Sequence, residues 1–160
     1  MNIADIRALL PHRYPMLLVD QVHDVQPGEW LVASKAVTAN EPCYAGLPEG
    51  ATDHAYPASL LIESWCQAAG VLTVLGRPNP DVLTGQVTLF AAIADLELVA
   101  PVWPGDVLRH RVLAQKIVSD AAVLEGESTV DGRQVLRVGR IIIALRPASE
   151  LGPTAGREPG

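Results

Sequence analysis

The stretch "PASLLIESWCQAAGVLTVL", Pro57 to Leu75, is apolar on nearly every side. A helix resting on a surface has one apolar stripe, whereas a helix apolar all round is enclosed by protein. Pro57 suits the first turn, where its missing N–H costs nothing. The stretch therefore predicts a buried central helix over 57–75, stopped by "GRPNPD" at 76–81. Two residues in or near it are unexpected. Glu63 is a carboxylate in a greasy segment, with Gln67 one turn further along the same face. His54, one of four histidines, stands just before the helix.

The flanks supply strands. "NIADIRALL" puts Ile3, Ile6, Leu9 and Leu10 on one helical face, with Asn2 as N-cap and Pro11 as the stop. "MLLVDQVHDV" (16–25) and "WLVASKAVT" (30–38) read as strands joined by the turn "QPGE". Residues 40–55 form a loop by composition. Beyond the helix, strands are expected near 86–99, 106–118, 121–130 and 134–145, with turns at "VWPGD", "SD" and "VDGR". The expected class is α+β: about six strands in a curved antiparallel sheet wrapped around one long helix. The single domain spans 1–147, and the Pro/Gly-rich tail 148–160 is expected to be disordered. An exposed edge strand in such a sheet favours pairing into a dimer.

Composition limits the function. The chain has 160 residues, 49% hydrophobic and 19% charged, as a globular domain has. A net charge of −6 argues against nucleic acid and against an anionic membrane surface. The start has no cationic leader, and no run reaches the ~20 apolar residues of a membrane span. Two cysteines, Cys43 and Cys66, make no disulfide framework, so a cytoplasmic protein with reduced thiols is expected. No cluster has metal-ligand spacing and no phosphate-binding glycine loop is present, so no cofactor is expected.

Four stretches carry a resemblance: "LLPHRYPMLLVDQV" (9–22), "NEP" (40–42), "YPASLLIESWCQAAG" (56–70) and "PVWPGDVL" (101–108). Together they resemble the FabZ-type 3-hydroxyacyl-[acyl-carrier-protein] dehydratases, over roughly residues 3 to 145. The resemblance implies a hotdog fold, which the element order also suggests. It also implies dehydration of 3-hydroxyacyl thioesters on an acyl carrier protein to trans-2-enoyl thioesters, in fatty-acid or polyketide biosynthesis. The active site would be a tunnel at a dimer interface, with the acid from one chain and a histidine from the other. That family places its histidine after a loop glycine. Here Leu47 follows Gly46, and counting back from Glu63 reaches Glu49. The loop is about two residues longer than the family pattern.

The chemistry needs a base at the carbon beside the carbonyl, donors for the enolate-like oxygen, and an acid for the leaving hydroxyl. Glu63 is the expected acid, since burial favours the protonated form of a carboxylic acid. The alternative is a structural ion pair. The turn Pro57–Ala58–Ser59 resembles the family's thioester-binding turn, with N–H groups of Ala58 and Ser59 as donors and Gln67 at the amide position. His54 is either a displaced base or a solvated loop residue beside Asp53. His12 of "PHRYP" is expected to be structural, and His23 and His110 have no evident partners. Asp53, His54 and Ser59 have the residue types of a hydrolase triad, but they crowd into one short segment without a nucleophile elbow.

The strand "AAIADLELVAP" carries Asp95 and Glu97 and no Lys or Arg, whereas the family has basic residues there. An acidic carrier would need Arg109, Arg111, Arg137 or Arg140 elsewhere. Two other readings stay open. One is an incomplete subunit that lends Glu63 to a composite site with a complete homologue. The other is a hotdog thioesterase. A homodimer, a heterodimer and a higher oligomer all fit.

Overall fold

The computed structural model describes residues 1–76 and 85–150. The stop signal after Gly76 and the tail from Leu151 onward lie outside the described residues; Ala148–Glu150 form a short 3-10 turn. The helices are α1 (Ile3–Leu9) and α2 (Ala58–Val74). The strands are β1 (Gln21–Gln26), β2 (Trp30–Ala36), β3 (Gln86–Leu98), β4 (Val107–Ile117), β5 (Ala121–Val130) and β6 (Arg133–Pro147). They form one sheet in the order β1-β2-β4-β5-β6-β3. All pairings are antiparallel.

α1 is short and needs its cap. Asn2 Oδ1 accepts from the Ala4 and Asp5 amides at 2.8 and 3.2 Å, and the Asp5 carboxylate accepts from the Asn2 amide at 2.9 Å. The reciprocal pair satisfies donors that a helix start leaves orphaned. The strand expected from Met16 begins only at Gln21. Before it, the Gln67 side chain takes the Leu18 amide and the Met16 carbonyl, so these groups pair with a helix side chain rather than with a ladder.

α2 lies against the inner face of the sheet, packing on β2, β4 and β5. Leu61, Trp65, Ala68, Ala69 and Leu72 are buried there. Trp65 pins the helix: its indole N–H donates to the Arg111 carbonyl of β4 at 3.1 Å. Gly126 of β5 makes room at this point. It has φ +155°, and a Cβ there would lie 2.0 Å from the Arg111 carbonyl oxygen. Only glycine tolerates both constraints.

Two polar pairs sit mostly out of water, one part-buried and one fully buried. Lys35 Nζ meets Glu41 Oε1 at 3.0 Å, and His110 Nδ1 meets Ser128 Oγ at 2.8 Å. The register places Arg111, Glu127, Arg137 and Glu97 side by side across β4, β5, β6 and β3. The arginines of this row are thus interleaved with carboxylates, and Arg137 reaches Glu97 at 3.2 Å.

β3 is an edge of the sheet and exposes Phe90, Ile93 and Leu98. No described helix is long and apolar enough to cross a membrane.

Candidate active site

Three elements meet where α1 ends. Leu9 and Leu10 bury against the core, which brings the following Pro11–His12 segment to the side of α2. Arg13 fastens this segment. Its guanidinium donates to the Leu10 and His12 carbonyls at 2.7 Å each and to the Arg7 carbonyl at 3.2 Å. A cation suits the C-terminal end of a helix, where carbonyls lack partners. The N-terminal part of β3 forms the opposite wall.

Between them is a cavity of about 230 Å³, largely apolar, lined by Leu10, His12, Glu63, Cys66, Gln67 and Phe90 among others. Gln67 is fully buried and uses its whole amide. Nε2 donates to Glu63 Oε1 at 2.8 Å and to the Met16 carbonyl at 2.6 Å, while Oε1 accepts from the Leu18 amide at 2.8 Å. Only one amide orientation serves these three partners. His12 Nε2 stands 3.4 Å from Glu63 Oε1, and the two side chains are about one third exposed. Both contacts fall on Oε1, so Oε2 is the oxygen left for a ligand.

Burial holds the His12 imidazole below its ordinary pKa; the Glu63 carboxylate opposes this and Arg13 adds to it. The ring is therefore mostly neutral at pH 7. Burial, with Glu63 nearby, pushes the Cys66 thiol up to about 12, so it lines the cavity as an inert group.

The sequence expectations divide here. Glu63 and Gln67 share a face and bond directly, as their spacing required. The histidine beside Glu63 in the same chain is His12, which the sequence assigned a structural role. The available signal was position: a residue two places after a buried Leu–Leu pair, held there by a proline, lies near whatever those leucines pack against. His54 is exposed, and its ring centre is 6.5 Å from that of Tyr44. Asp53 accepts from the Ala55 amide at 2.9 Å, and Ser59 is exposed. Leu47 and Glu49, the two positions the family pattern indicates, are exposed as well.

Ala58 and Ser59 are exposed at the start of α2, where Pro57 is the N-cap. The first bonds of the helix run from the Leu60 and Leu61 amides to the Pro57 carbonyl, at 2.9 and 3.0 Å. The amides of Ala58 and Ser59 come before them. Pro57 and Ala58 line a second, open groove of about 460 Å³ with Tyr56, Leu61, Leu98 and Pro101. The turn and Glu63 thus face different spaces within one chain. No metal-binding cluster occurs among the described residues.

A curved antiparallel sheet around one helix, with an acid–amide pair over an apolar cavity, makes this a hotdog-fold protein. The chain belongs to the FabA-like family, whose domain matches residues 10–139. It is 40% identical over 138 residues to the 3-hydroxyacyl-[acyl-carrier-protein] dehydratase FabZ of Actinobacillus pleuropneumoniae serotype 5b, covering 84% of this chain and 85% of that one. It is 39% identical to the FabZ of Pasteurella multocida, covering 90% and 91%. Among solved structures it resembles the dehydratase heterocomplex ApeI:P from Xenorhabdus doucetiae, with TM-score 0.74, 21% identity and coverage of 91% and 93%. It also resembles the fluoroacetyl-CoA thioesterase FlK, with TM-score 0.58, 14% identity and coverage of 80% and 93%. Likeness at such low identity speaks for the fold alone.

Proposed function

We propose that this chain is a lyase that removes water from 3-hydroxyacyl thioesters held on an acyl carrier protein, giving trans-2-enoyl thioesters for fatty-acid or polyketide assembly in the cytoplasm. The observation that carries this reading is Glu63 on an apolar cavity, with Oε1 engaged by Gln67 and Oε2 left over. It is the general acid for the departing hydroxyl. The amides of Ala58 and Ser59, at the positive end of α2, stabilise the enolate-like oxygen. Pro57 shapes that turn, and Gln67 fixes the acid beside the substrate.

The base is a histidine. His54 is exposed on its own chain and would act on Glu63 of a partner; His12 already stands beside Glu63. A second chain is required in either case, because the donor turn and Glu63 open into different spaces. The exposed apolar edge of β3 supports such pairing, with an identical or a related chain. Carrier docking on the arginine row is opposed by its interleaved carboxylates.

The test is purified protein with 3-hydroxyacyl carrier protein, following loss of water and the reverse hydration by mass spectrometry. Turnover by the chain alone supports an active homo-oligomer. Silence relieved only by a homologous subunit favours a composite site that borrows Glu63. Release of free acid would point to thioesterase chemistry.

A further inference from the structure

Resting on the dehydratase reading, we infer that the buried Lys35 is a positioning residue: its ammonium joins both ends of the loop 42–55 to β2 and so holds the loop histidine His54 in reach of Glu63 on a partner chain.

His54 is the base that the geometry leaves. His12 Nε2 faces Glu63 Oε1 at 3.4 Å and its Nδ1 is buried. The ring proton therefore belongs on Nε2, and no basic nitrogen of His12 faces the cavity. Whatever sets the path of residues 42–55 then sets the reach of His54.

Lys35 pairs with Leu108 of β4 in the ladder, and both side chains are buried. An ammonium in such a place needs a counter-charge and hydrogen bonds. At the start of the loop, Nζ meets Glu41 Oε1 at 3.0 Å, with the two side chains only 7% and 12% exposed. Nζ also donates to the Ala36 carbonyl at 3.3 Å, and Glu41 Oε1 accepts from the Thr38 amide at 3.1 Å. At the end of the loop, Nζ stands 5.5 Å from the centre of the Tyr56 ring. That is within the ~6 Å over which an aromatic ring attracts a cation. Tyr56 is fixed in turn: its amide donates to the Val102 carbonyl at 2.7 Å, and Pro57, the next residue, caps α2. Burial and the nearby Glu41 carboxylate raise the Tyr56 hydroxyl and the Cys43 thiol, and burial keeps His110 neutral. Glu41 is thus the anion that balances Lys35.

From this clamp a short path leads to His54. Glu41 caps the 3-10 turn Pro42–Tyr44, and its carbonyl accepts from the Tyr44 amide at 3.0 Å. The Tyr44 ring lies 6.5 Å, centre to centre, from the His54 ring. The turn that begins at the ion pair therefore carries the ring beside the histidine. Stability alone is a poor reason for a buried ion pair, because apolar residues of similar volume usually serve as well. A demand for one loop geometry is a better reason, since a misplacement of about 1 Å can cost ~100-fold in rate.

The experiment compares wild type, Lys35→Met/Glu41→Leu, His54→Ala and the triple variant on 3-hydroxyacyl carrier protein. Each is assayed alone and with a homologous subunit, with a thermal melt. The double variant removes both charges together, so its melting temperature should stay near that of wild type. Its kcat should nevertheless fall ~10–100-fold with KM little changed. His54→Ala should lose ~10²–10⁴-fold, the range for a lost acid–base group. In that background the Lys35→Met/Glu41→Leu change should cost little more, because both act through one base. A wild type with no turnover, alone or with a homologous subunit, overturns the dehydratase reading and this inference with it. With an active wild type, any of three results overturns the inference alone. These are a folded double variant with wild-type kcat, a double variant that fails to fold, or losses that multiply in the triple variant. The second would assign the ion pair to stability, and the third would separate it from His54.

Discussion

Gln67 reaches back one turn of α2 to bond the Glu63 carboxylate at 2.8 Å, and the same amide holds the chain segment that leads into β1. One buried side chain therefore aims the acid and fixes the loop that carries His12. Replacing it by leucine should fail in two measurable ways. The Leu18 amide and Met16 carbonyl lose their partner, which costs roughly 1–3 kcal/mol for each group left unpaired in denaturant unfolding. The acid also loses its orientation, and kcat should drop by about ten- to a hundredfold with KM little changed. Unaltered kcat in a folded Gln67→Leu protein would remove the amide from the mechanism.

Glu63→Gln tests the acid with little structural disturbance. The amide oxygen still accepts from Gln67, so the melting temperature should stay near that of wild type. The proton for the leaving hydroxyl is gone, and turnover should fall by ~10²–10⁴-fold. Activity within a few-fold of wild type would exclude Glu63 as the acid.

The elements that were legible in the sequence are those fixed by local chemistry. α2 was legible because residues 57–75 are apolar all round, and the start of α1 because Asn2 can cap it. The hairpins followed from their turn residues. Glu63 and Gln67 were legible as a pair because helical spacing alone puts them on one face. What was missed depends on contacts between distant segments. The late start of β1 follows from a bond between Leu18 and Gln67. The place of His12 follows from α1 packing against α2. The partner of His110 is Ser128, which only the register of β4 against β5 reveals. His54 sits in a loop whose path no periodicity specifies.

The His110–Ser128 pair makes stability depend on pH. Burial, with the Lys35 charge assisting, pushes the His110 pKa down from 6.5 to about 3. The folded protein thus keeps a neutral imidazole where the unfolded chain takes up a proton. This contribution is complete above pH 6.5 and is lost progressively as pH falls toward 3. At about 1.36 kcal/mol per pH unit, the full loss is on the order of 5 kcal/mol. Urea midpoints of wild type and His110→Leu, measured between pH 7 and pH 4, should show a flatter pH dependence for the variant. Parallel curves would mean that the imidazole titrates alike in both states.

β3 exposes Phe90 at 38% and Ile93 at 44% along an unpaired edge, and Phe90 also lines the Glu63 cavity. Covering this edge would satisfy its open backbone groups and seal the cavity from water in one event. Assembly and activity should therefore be lost together. Sedimentation at micromolar concentration should give a dimer or larger species for wild type. Ile93→Lys puts a charge on the edge and should shift the population to monomer, with a matching loss of turnover that returns as concentration is raised. Lysine leaves the residues of the acid–base pair untouched, so this concentration dependence separates an assembly defect from a damaged site. A folded wild-type monomer that turns over substrate at full rate would rule out the composite arrangement.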